Sequence, residues 1–132
     1  MKLIVLFSRT LLGAIFVASG VSGVLPGHAP SFSTELAKQY MAVMQATPYG
    51  HVLFAGQILC GLLLIADLFA PMALIVLAAY LFNIFMFHIF IEPGHYALAL
   101  VLAVLWVFTF LRYRDLFRPL LEHRLTNPSE AR

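Results

Sequence analysis

Four side chains that could do chemistry stand in otherwise apolar surroundings: Gln57, Asn83, His88 and Glu92. The imidazole of His88 has two ring nitrogens, and the free group changes charge in the physiological pH range. It suits a proton relay, or a hydrogen bond to a quinone-like carbonyl. Gln57 and Asn83 carry amides, which exchange no proton near neutral pH but can orient a polar ligand group. Glu92 follows His88 by four residues, so the two share a face if a helix continues that far. Each also has a plainer reading. Buried amides bond between helices because lipid offers them no partner, and a His88–Glu92 contact can be purely structural. His88, His95 and Glu92 could offer imidazole and carboxylate to a metal. Their spacing lacks a diagnostic pattern such as HExxH, so no metal is assigned. Cys60 is the single cysteine; it excludes an intramolecular disulfide and a CxxC redox pair, and packs as a small residue. No Ser/His/Asp triad, phosphate loop or haem ligand pair stands out. His88 is the one candidate catalytic group, and whether the chain is an enzyme stays open.

The elements that must position these groups are membrane helices. Residues 52–91 form 40 positions whose only charge is Asp67. A bilayer core takes about 20 apolar residues per helix, so this stretch reads as two crossings. Asp67 and Pro71 mark the turn between them, since a carboxylate is costly in lipid and proline stops a helix. Apolar stretches at 3–25 and 95–111 flank the pair. Charged residues make up 11% of the chain, against about 25% in soluble domains. The expected fold is all-α: a polytopic membrane four-helix bundle over residues 1–115, followed by a polar cytoplasmic tail, 116–132. Nucleic acid is excluded as a partner, because no basic face is interleaved with exposed aromatics.

The first span carries Gly13, Ser19, Gly20, Ser22 and Gly23, small surfaces suited to close packing, and ends at Pro26-Gly27. A signal peptide is the competing reading, with Lys2 and Arg9 as its basic region and Ser22-Gly23 near a cleavage site. Apolar residues on both sides of Arg9 instead make a full span. Between residues 26 and 50, Phe32, Leu36, Tyr40, Val43 and Met44 recur at near-helical spacing. They predict a short external amphipathic helix on the outer leaflet or capping the bundle. Pro48-Tyr49-Gly50 breaks it before a second span at 51–68. A third span covers 72–91, and Glu92-Pro93-Gly94-His95 forms an external turn. Pro93 could begin a fourth span that ends near Leu111. Gln57, Asn83, His88, Ser19 and Ser22 then fall in or near the outer half of the bundle, with His28 and His51 bracketing the external segment.

Seven of the eight basic residues fall on one side of this layout: Lys2, Arg9, Arg112, Arg114, Arg118, Arg124 and Arg132, against Lys38. The positive-inside bias makes that side cytoplasmic, with both termini inside. Arg9 is expected to snorkel toward the inner face. Asp67 is expected to shape the inner turn.

Arg9-Thr10-Leu11-Leu12-Gly13 with Ser19-Gly20, Gly56-Gln57-Ile58-Leu59-Cys60-Gly61, and Asn83-Ile84-Phe85-Met86-Phe87-His88 followed by Pro93-Gly94 resemble the DoxX family of small four-helix membrane proteins. The resemblance covers residues 1–115 and implies a bacterial cytoplasmic (inner) membrane protein. Some relatives are subunits of quinone-linked sulfur oxidation systems, and others associate with redox-defence proteins. Relatives often carry a glutamate where this chain has Gln57, so a proton-transfer role for that position is lost here while hydrogen bonding survives. The leading expectation is a redox-associated protein with an outer-leaflet pocket for a lipophilic molecule such as a quinone. Gln57, Asn83, His88 and Glu92 would be its polar contacts, and a redox partner protein would supply electrons. A non-enzymatic scaffold or accessory subunit is the alternative, and a small solute transporter the third. Gly-rich faces also suit a homo-oligomer.

Overall fold

In lipid every backbone polar group must find its partner inside the protein, so long apolar segments become helices. The computed structural model describes residues 2–25, 27 and 31–121. Pro26, His28, Arg124 and Arg132 lie outside the described residues, as does the expected tail from 122 onward. Five helices follow in order: α1 (Lys2–Val24), α2 (Glu35–Ala46), α3 (Pro48–Ala66), α4 (Ala70–Phe90) and α5 (Ala97–Leu121). All but α2 are long and apolar enough to cross a membrane. The chain is an all-α, multi-pass membrane bundle with an amphipathic helix between its first and second crossings.

Contacts at the two ends fix the topology. Arg9 of α1, Asp67 after α3 and Tyr113 of α5 meet at one end. Ser33 and Thr34 before α2 meet Glu92 after α4 at the other. The four long helices therefore alternate in direction.

Close packing of α1 on α3 organises the bundle. A Cβ at Gly13 would lie 2.6 Å from the Gly61 carbonyl oxygen, and one at Gly61 would lie 2.6 Å from that of Gly13. Only glycine lets the two backbones approach this closely. Around this seam Leu12, Phe16, Leu64, Leu74 and Leu77 are buried. Leu3, Phe7, Phe82 and Phe90 remain exposed on the outer surface, where a bilayer would cover them. Side-chain bonds to backbone carbonyls also cross between helices: Trp106 Nε1 donates to the Leu74 carbonyl at 3.0 Å, and the Tyr80 hydroxyl to that of Leu53 at 2.8 Å.

Several boundaries differ from the sequence expectation, each for a local reason. Helix α3 begins at Pro48, because Thr47 caps it and proline fits the first turn, where no N–H is needed. Pro93 does not open the last crossing; α5 starts at Ala97. That helix also runs ten residues past Leu111, to Leu121, through the boundary expected at 115. Phe117 is buried there, its ring 4.9 Å from that of Phe110. The apolar stripe thus continues into sequence that looks polar by composition.

The α2 face also differs. Ala37 and Met44 are buried, whereas Leu36 and Val43 are 56% and 60% exposed. At 100° per residue, Leu36 and Val43 fall together on a flank beside the packed face, apart from Glu35, Lys38 and Gln45. The turn between α3 and α4 places Asp67 and Phe69 in left-handed conformations, at φ 58° and 49°. Asp tolerates this region; phenylalanine rarely does.

Candidate functional site

The helices line a partly open cavity of about 600 Å³ toward the Glu92 end of the bundle. Phe16 and Ser19 of α1, Tyr40 and Met44 of α2, and Leu102 of α5 contribute to its wall. So do all four sequence candidates, Gln57, Asn83, His88 and Glu92. Gln57 arrives on α3, Asn83 and His88 on α4, and Glu92 from the turn that follows. Helix α2 closes the space with Tyr40, Met41 and Met44, one face of its wheel. Phe87 is an aromatic hub, with ring centroids of Phe32, Tyr40 and His88 at 5.7, 5.3 and 5.3 Å.

Glu92 holds α2 in place. Its side chain is almost fully buried and accepts bonds from the Ser33 N–H at 2.6 Å, the Ser33 hydroxyl at 2.5 Å and the Thr34 N–H at 3.0 Å. The Thr34 hydroxyl lies 2.8 Å from the same carboxylate and 2.7 Å from the Ile91 carbonyl, and accepts from the Ala37 N–H as the α2 cap. The hydrogen bonds from Ser33, and then those from Thr34, lower the Glu92 carboxyl from its ordinary 4.5 to about 2. Donors aimed at the charged form have this effect. The His88–Glu92 contact that a continuing helix would allow is not made, because α4 ends at Phe90 and Glu92 turns to Ser33 and Thr34. His95 Nδ1 lies 3.6 Å from Glu92.

Two cavity residues have polar atoms left over. Gln57 Oε1 and His88 Nδ1 are enclosed by protein and have no hydrogen-bond partner. Neither side chain bridges helices among the described residues in the way the plainer reading required. Among the described residues, no three His, Cys, Asp or Glu side chains converge as a metal would require.

A second polar group lies at the opposite end. Arg9 reaches toward that end as expected, but its charge is paired rather than solvated: it is only 8% exposed and forms an ion pair with Asp67. The Tyr113 hydroxyl donates to the same Asp67 oxygen at 2.5 Å, and Arg9 Nη1 donates to Tyr113 at 3.4 Å. The Tyr113 bond, followed by the Arg9 bond, holds the Asp67 carboxyl below the usual range. This cluster ties α1, the α3–α4 turn and α5 together, away from the cavity.

Sequence reasoning did not find Tyr80, which bonds α3 beside Gly56, or the Ser33-Thr34 clasp. A Ser-Thr pair immediately before a helix is a capping signal, so the clasp had a legible half. The Arg9–Asp67 pair was also accessible in principle, because charges placed in apolar segments are normally paired. Comparison of the chain with protein-family models, curated proteins and solved structures found no match.

Proposed function

We propose that this chain is a DoxX-like, redox-associated membrane protein that holds a lipophilic small molecule, such as a quinone, in the cavity beneath α2. The observation that carries the reading is a largely apolar cavity with the polar side chains of Gln57 and His88 in its wall. Small-molecule sites combine an apolar wall with a few polar groups that set orientation. The volume lies within the roughly 300–1,000 Å³ usual for such sites. The redox setting rests on the sequence resemblance, and electrons would come from a partner protein. The basic-residue asymmetry supports a bacterial cytoplasmic membrane protein with both termini inside.

Gentle purification from native membranes, followed by mass spectrometry of co-purifying small molecules, tests this reading. A stoichiometric lipophilic ligand is expected with the wild type and should be depleted in His88→Ala. A ligand-free wild type would move the reading to a membrane scaffold. That second reading draws on the exposed flank of α2, where Leu36 and Val43 lie uncovered. Crosslinking through residues 32–44 would then capture a defined protein partner.

A further inference from the structure

Gln57 and His88 each have two polar side-chain atoms, and the fold seals one of each. Gln57 Oε1 and His88 Nδ1 are enclosed without a partner, while both residues line the cavity. By elimination, Nε2 of each side chain is the polar atom that an occupant can reach. A sealed Oε1 is also the less costly orientation of the amide, because turning it over would bury an NH2 group with no acceptor. The same reasoning applies to the His88 ring: among the described residues no acceptor meets Nδ1, so a single ring proton belongs on Nε2.

We propose that the cavity is lined by hydrogen-bond donors, Gln57 Nε2–H and His88 Nε2–H, and takes a flat apolar molecule bearing carbonyl acceptors. This deepens the ligand reading above and rests on it. It also changes the role given to His88. A relay through imidazole passes a proton in at one nitrogen and out at the other, and Nδ1 has nothing to exchange with. His88 is a positioning donor. Antiparallel α3 and α4 lean their side chains in opposite directions along the bundle, because side chains tilt toward the helix N-terminus. Gln57, at mid-helix, leans toward the Glu92 end; His88, near the end of α4, leans back toward mid-bundle. The two donors thus address the same space from opposite ends, as a ring with carbonyls on both sides requires. A hydroquinone of the same shape would bring two O–H groups that these donors cannot accept.

The test uses the full chain in nanodiscs with a decyl-substituted benzoquinone and the same compound held as its hydroquinone. The quinone is expected to bind about tenfold more tightly, the order of penalty for unpaired buried donors. His88→Gln, whose amide nitrogen replaces Nε2, should keep quinone affinity within about threefold. His88→Asn, which offers its nitrogen at the Nδ1 position, should lose about tenfold, as should Gln57→Met. Thermal unfolding of each variant separates these losses from misfolding, and ¹⁵N shifts of the His88 ring report the tautomer directly. Equal binding of both probes, or a proton on Nδ1, would overturn the donor assignment and leave the cavity as a ligand site. Binding of neither probe to the folded wild type would overturn the ligand reading, and the donor assignment with it.

Discussion

Glu92 and Arg9 show how single residues acquire roles that their neighbours in sequence do not announce. Glu92 is held ionised by bonds from Ser33 and Thr34, and its folded value of about 2 lies below the ordinary 4.5. A depressed carboxyl stabilises the fold fully above its unfolded value, and that contribution disappears as pH falls through the folded one. Thermal unfolding in detergent should therefore lose stability between about pH 4.5 and pH 2. Asp67 is shifted in the same direction, so the comparison that isolates Glu92 is with Glu92→Gln. That variant should start less stable near neutral pH and show a shallower acid loss; identical acid slopes would contradict the clasp. At the other end, Asp67→Asn leaves the buried Arg9 guanidinium without its counter-charge. The expected cost is about 2 kcal/mol, below that of a fully buried pair because Asp67 reaches solvent. Denaturation midpoints measure it, and Arg9→Met should cost less, since the exposed Asp67 can hydrate.

Glycine determines how closely α1 and α3 can pack. Gly61→Ala would drive a Cβ against the Gly13 backbone carbonyl, which has no side-chain freedom with which to yield. A loss of about 1–3 kcal/mol is expected, typical of overpacking. Gly56→Ala meets the Tyr80 side chain, hydroxyl first, which yields by giving up its bond to the Leu53 carbonyl; with no backbone forced to move, it should cost less. Equal losses in the two variants would argue against backbone contact as the cause. Helix α2 depends on different forces. Its cap, its clasp and one buried face hold it over the cavity, while Leu36 and Val43 lie on a flank available to lipid. Spacing alone places those two residues in one apolar stripe with Tyr40 and Met44. Packing divides the stripe, because a helix lying at a membrane surface meets protein on one side and lipid on the next.

For the molecule as a whole, alternating helices put both described ends of the bundle on one face and Glu92 on the other. With the termini cytoplasmic, a cysteine at Lys38 or Gly94 should react with an impermeant thiol reagent on intact cells. One at Asp115 should react only after permeabilisation. Buried Cys60 keeps the background low. The reverse pattern would invert the orientation inferred from the basic residues. The cavity is likewise a property of the assembled bundle: four crossings and a roof helix all contribute wall, and no pair of them encloses it.

The sequence alone determined that the chain is helical, that it crosses a membrane four times, and that a short amphipathic helix separates the first two crossings. Those features follow from local hydrophobicity and from the need of the backbone to satisfy itself in lipid. It also named Gln57, Asn83, His88 and Glu92, because polar residues are conspicuous where everything around them is apolar. Only the tertiary structure decided what each one faces. It assigned Glu92 to Ser33 and Thr34, paired Arg9 with Asp67, continued α5 to Leu121 on the strength of buried Phe117, and left Gln57 and His88 beside a shared cavity. Partners distant in sequence set those outcomes, and helical periodicity reports only which residues share a face, not what that face meets.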